Sequence, residues 1–132
     1  MYEQGDQADE ARLQAIAREH GPFDIVIDDG SHRSEHQAAT LVALLPHVSP
    51  GGFHVIEDVH ANLKNQADGH KTDYGSDIWP DFVLALFERL RRGPVGTRSA
   101  GADLAQAIAK RTDELILGKR ILAIRVAGRG QP

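Results

Sequence analysis

This 132-residue chain predicts an α/β fold with a parallel strand pair and a C-terminal antiparallel hairpin, and three observations predict it. The first is a pair of apolar runs, Phe23 to Ile27 and Phe53 to Ile56, each ending abruptly in carboxylates: Asp28-Asp29 and Glu57-Asp58. Short apolar runs bounded by turn residues read as buried strands. The second is the helix-like stretch between them, residues 33 to 46. A strand–helix–strand crossover makes the two strands parallel, so their carboxylate ends open onto one edge of the sheet. The third is Glu114 to Leu117, a Gly118-Lys119 turn, and Arg120 to Val126, which has the pattern of a hairpin.

In chain order, Asp9 to Glu19 carries Ala11, Leu13, Ile16 and Ala17 at helical spacing and stops at His20-Gly21-Pro22. The first strand follows. Ser34 is positioned to cap the next helix, whose apolar side holds Ala38, Leu41, Val42, Leu44 and Leu45. Pro46 and Ser49-Pro50-Gly51-Gly52 turn the chain into the second strand. Residues 60 to 78 are rich in Asn, Asp, Gly and His and read as a long loop on the active-site side. Trp79-Pro80-Asp81 opens a helix with Phe82, Val83, Leu86, Phe87 and Leu90 on one face and Gly93-Pro94 as its stop. Residues 95 to 102 read as a linker, Leu104 to Lys110 as a short helix, and 127 to 132 as a frayed tail. The whole is one domain, with no internal repeat.

Composition narrows the function. A hydrophobic content of 41% is ordinary for a globular protein, and a net charge of -4 argues against nucleic acid or an anionic membrane as partner. The basic stretches at Arg89 to Arg92 and Lys119 to Arg129 read as solvated faces. The absence of cysteine excludes disulfides and thiolate metal sites, and fits a cytoplasmic location. No signal peptide and no apolar run of membrane-spanning length is visible.

The strand ends carry the chemistry. Asp28, Asp29, Glu57 and Asp58 are expected to converge with His32 in one crevice, and clustered carboxylates repel one another unless protons or a cation intervene. Oxygen donors without thiolate suit magnesium or manganese rather than zinc. Acidic strand ends also cap helices or line a solvated rim, so spacing alone leaves both readings open. His32-x-x-x-His36, with Glu35 between, has the spacing of a helical zinc pair, but the Gly30-Ser31 turn opposes a helix already formed at His32. His36 therefore reads as structural or as a support to the site, and His54 as packing. His60 and His70 belong to the loop, where they line a substrate pocket or, the favoured reading, are exposed. Of the two aromatics that a pocket could use, Tyr74 and Trp79, Trp79 is expected in the core.

The run from Gly21 through Asp28-Asp29-Gly30-Ser31-His32, then His36, then Leu45 through Pro50-Gly51-Gly52 to Glu57-Asp58, resembles the class I S-adenosylmethionine-dependent methyltransferases. More narrowly it is similar to the metal-dependent O-methyltransferases that act on sugars of macrolides and related natural products, and Gly5 to Asp9 shares that similarity. The resemblance implies a Rossmann-like sheet, S-adenosylmethionine and magnesium (or manganese) as cofactors, and a small hydroxylated substrate. It implies that Asp29, Glu57 and Asp58 hold the metal and that His32 is the general base. It places Asp6 and Gln7 near the adenine of the cofactor and Asp28 near its methionine portion.

The chain has no Gly-x-Gly-x-x-Gly and starts near what would be the third strand of such a sheet, so it is expected to correspond to a C-terminal portion. Alone it is then expected neither to bind S-adenosylmethionine tightly nor to turn over. Self-association, or a partner supplying the missing N-terminal half, is the further expectation. The alternative is an inactive methyltransferase remnant serving as a binding or assembly module.

Overall fold

A computed structural model describes residues 2–60, 77–92 and 99–128. Helix α1 (Glu10–His20) is capped by Asp9, whose carboxylate accepts the Arg12 N–H at 3.0 Å. Strand β1 (Phe23–Asp28) follows, then α2 (Ser34–Leu44), a 3-10 turn (Leu45–His47) and β2 (Val48–Ile56). Helix α3 (Trp79–Arg92) and helix α4 (Ala100–Ile108) precede a second 3-10 turn (Ala109–Arg111) and the hairpin of β3 (Thr112–Leu117) and β4 (Leu122–Val126). The sheet order is β1-β2-β4-β3: β1 and β2 are parallel, and β4 runs antiparallel to both β2 and β3. The fold class expected from the sequence is the one observed.

Several local expectations change. The cap position of α2 is Arg33, not Ser34, which is already helical and buried. The hydroxyl at the helix entry is that of Ser31, which meets His36 Nδ1 at 2.8 Å. Helix α4 begins within the expected linker because Ser99 caps it, its Oγ accepting the Ala102 N–H at 3.1 Å. The start of the supposed tail is held too, since the Ala127 N–H donates to Arg111 O at 2.7 Å. Most of the expected 60–78 loop, Tyr74 and His70 with it, the Gly93-Pro94 stop and residues 129–132 lie outside the described residues.

The core forms on one face of the sheet. His54 and Ile56 of β2 and Leu122, Ile124 and Val126 of β4 turn inward, against Leu41 and Leu45, Phe82 and Leu86 of α3, and Leu104 and Ile108 of α4. Trp79 joins them as expected: it stacks edge-on against Phe82 at 5.3 Å, and its Nε1 donates to Gln37 Oε1 at 3.2 Å. On the other face strand alternation leaves Ile25 and Ile27 of β1 59% and 61% exposed. No helix among the described residues is long and apolar enough to cross a membrane.

Candidate metal centre

The parallel register brings the two strand ends together. Asp28 lies opposite Ile56, and the Glu57 N–H donates to Asp28 O at 2.9 Å, so the ladder ends one residue later. Just beyond it the backbone turns sharply. Among the described residues only His32 and Asp58 are non-glycine residues with positive φ, at 58° and 50°. A side chain in this left-handed region costs about 1 kcal/mol or more, and such residues gather at functional sites.

Both strained residues point at the same place. His32 Nε2 stands 3.6 Å from Asp58 Oδ2 and 3.9 Å from Asp29 Oδ1. Ligand atoms of Asp29, His32 and Asp58 all lie within 4.8 Å of one another. These separations exceed hydrogen-bond length. Two oxygens bound to one magnesium at about 2.1 Å sit roughly 3 to 4 Å apart, so a small contraction would close this group around an ion. His32 Nδ1 is buried without a hydrogen-bond partner in the protein. His60 approaches from the opposite side, with Nδ1 3.5 Å from Asp58 Oδ1.

The four carboxylates expected in one crevice divide. Asp29 and Asp58 meet at His32. Asp28, one residue earlier on a strand, turns to the other face and is buried. There Gln7 Nε2 donates to its Oδ1 and Oδ2 at 2.7 and 2.9 Å and to Thr40 Oγ1 at 3.1 Å, while Gln7 Oε1 accepts the Ser31 N–H at 2.9 Å. Burial pushes the Asp28 carboxyl up, opposed by the Gly30 N–H and the Gln7 amide. Gln7 thus holds the 28–31 turn from behind, and a Cβ at Gly30 would come 2.2 Å from Gln7 Oε1, so a larger residue there would displace the Gln7 amide.

Glu57 stands outside the group of mutually close ligand atoms. Neighbours on an extended chain project to opposite sides, and it is the positive φ of Asp58 that sets that residue's own direction. Gln7 and Asp28 line a cleft of about 520 Å³ beside Val26 and Gly30; Asp6 does not line it, and its Oδ1 instead accepts the Ala8 N–H at 2.9 Å. His60, for which exposure was the favoured expectation, is instead half-buried and takes the other expected place, lining a pocket. The signal was its position two residues after Asp58, close enough to share that carboxylate.

No family model matches the chain. In sequence it is 61% identical over 56 residues to mycinamicin VI 2''-O-methyltransferase of Micromonospora griseorubida, a match covering 42% of this chain and 14% of that protein. It is 58% identical over 55 residues to demethylmacrocin O-methyltransferase of Streptomyces fradiae, and 48% identical over 52 residues to L-olivosyl-oleandolide 3-O-methyltransferase of Streptomyces antibioticus. These matches cover 42% and 39% of this chain, and 14% of each relative.

In fold it superposes on the MycE methyltransferase of the mycinamycin biosynthetic pathway, solved in complex with Mg, SAH and mycinamycin VI. The TM-score is 0.69 at 29% identity, over 98% of this chain and 33% of that one. The chain therefore spans about a third of the solved enzyme's length. In sequence and in fold, this chain resembles the C-terminal part of the macrolide and sugar O-methyltransferases.

Proposed function

We propose that this chain carries the metal-binding and proton-accepting portion of an S-adenosylmethionine- and magnesium-dependent O-methyltransferase that methylates a hydroxyl of a sugar or related natural product. The observation that carries this reading is the convergence of the two strained residues, His32 and Asp58, on Asp29. The magnesium and SAH in the solved MycE complex support it. Asp29 and Asp58 hold the ion, with Glu57 the third carboxylate if its side chain swings to the same side. When bound, magnesium supplies a Lewis acid that acidifies a substrate hydroxyl. His32 takes the hydroxyl proton at Nε2, the nitrogen that faces the carboxylates. The cleft at Gln7 and Asp28 is the proposed place for S-adenosylmethionine, and the cysteine-free composition fits action in the cytoplasm. An inactive remnant is the weaker reading, since the relatives that the chain matches are O-methyltransferases and the solved one holds Mg and SAH.

A second assignment of His32 follows from its Nε2 lying within the ligand group: it completes the donor set instead of accepting the proton. One imidazole nitrogen cannot do both. Thermal melts with and without magnesium or manganese separate the readings. Both ions raise the melting temperature of wild type, and Asp29→Ala abolishes the rise. His32→Ala keeps the rise if the residue is the base and loses it if the residue is a ligand. An identical response in wild type and Asp29→Ala would remove the metal site.

A further inference from the structure

Helix α2 meets the sheet with polar residues where its sequence promises apolar ones. Ser34, Gln37 and Thr40, at helical spacing, are all buried, while Val42 of the expected apolar side is 39% exposed. Gln37 is buried completely. Glutamine is seldom found so deep, and an amide there needs a partner at both ends. It has them. Its Nε2 donates to the Glu57 carbonyl at 2.9 Å, and its Oε1 accepts the Trp79 Nε1–H at 3.2 Å. An indole N–H can only donate and a carbonyl can only accept, so the side chain between them must accept at one end and donate at the other. A neutral amide does both; an apolar side chain of the same size does neither.

The carbonyl that Gln37 holds belongs to the residue before Asp58. Three hydrogen bonds fix the backbone around that left-handed position. The Glu57 N–H donates to Asp28 O at 2.9 Å, Gln37 Nε2 donates to Glu57 O at 2.9 Å, and the Val59 N–H donates to Arg120 O at 3.2 Å. Glu57 O and the Asp58 nitrogen lie in one peptide plane, so a bond to that oxygen sets the angle at which Asp58 leaves the strand. Of the three bonds it alone comes from a side chain, and it alone can be removed by one substitution.

We propose that Gln37 is the positioning residue of the metal centre: its amide holds the Glu57–Asp58 peptide so that Asp58 turns toward Asp29 and His32, and Trp79 fixes which way the amide faces. The metal end rests on the O-methyltransferase reading above. Groups that orient a ligand in this way are typically worth about ten- to a hundredfold in metal affinity. The same bridge ties α3 to the end of β2, so a cation drawn to Asp58 is felt at the Trp79 indole.

Trp79 is the chain's one tryptophan, so its indole N–H gives a single, unambiguous resonance. Magnesium is titrated into the whole chain and followed at that resonance, at the Gln37 side-chain amide and at the His32 ring. In wild type all three should move with one midpoint. Gln37→Met keeps the side-chain volume and is expected to fold. In it, magnesium affinity read at His32 should weaken about tenfold or more, and the Trp79 response should vanish. Its Asp58 and Val59 amide resonances should be displaced before any metal is added. The proposal is overturned if His32 of wild type responds while Trp79 and Gln37 stay still, a result that stands even where Gln37→Met does not fold. It is overturned as well if Gln37→Met melts earlier yet binds magnesium as wild type does, which would make the bridge a feature of the core alone. Should wild type ignore magnesium at His32, the metal reading falls by itself. Gln37 is then judged on the metal-free spectra of Gln37→Met, where unmoved Asp58 and Val59 amides overturn the proposal and displaced ones uphold it.

Discussion

His54 shows what a single residue can contribute against stability. Strand alternation turns it inward between its ladder partners Val26 and Ile124, where it is fully buried with neither ring nitrogen bonded to the protein. Burial lowers its pKa from the ordinary 6.5 to about 4, because a charged imidazole would lose its hydration with nothing in exchange. Above pH 6.5 the ring is neutral in both folded and unfolded chains. Between 6.5 and 4 the unfolded chain binds a proton that the folded one refuses, so stability falls as pH drops, by up to about 3 kcal/mol across that window. His54→Leu should raise the melting temperature at pH 7 and flatten its decline between pH 6.5 and 4. An unchanged acid limb in urea titrations would show that the ring finds a partner or opens to water. The contrast with His32 is instructive. That imidazole sits at the rim, facing two carboxylates, with its backbone held left-handed.

The elements show what the sequence made legible. Both parallel strands, the crossover helix and the hairpin were readable, because apolar runs, turn residues and helical spacing are local signals. That Asp29, His32 and Asp58 lie together was readable because parallel topology fixes which strand ends share an edge. The partner of Asp28 was not legible, because Gln7 reaches in from 21 residues away. The exposure of Phe87 and Leu90, expected on one face of α3 with the buried Phe82 and Leu86, was hidden too, since it depends on where α4 docks. That docking has its own signature: at Gly101 a Cβ would lie 2.5 Å from both Ile78 O and Phe82 N, so α4 meets the start of α3 backbone to backbone. Gly101→Ala must push the helices apart, and is expected to cost about 1–3 kcal/mol in denaturant melts, as overpacking does. A neutral result would mean that the helices are not in such close contact.

At the scale of the whole molecule β1 is, among the described residues, an edge strand with Ile25 and Ile27 exposed. An apolar edge with open backbone groups is a template for pairing. Sedimentation should show concentration-dependent self-association at micromolar chain, reduced by Ile25→Lys with Ile27→Lys; a monomeric wild type, or a double variant that associates equally, would contradict this.

The central claim is that one divalent cation binds where β1 and β2 end together. Manganese answers it most directly, because its unpaired electrons broaden only the protons close to it. In NMR spectra of the histidine ring protons, manganese below one equivalent should broaden His32 and His60 while leaving His20 and His54 sharp, and Asp58→Ala should abolish the selectivity. Broadening spread evenly over all the histidines, or selective broadening that survives in Asp58→Ala, would contradict the account.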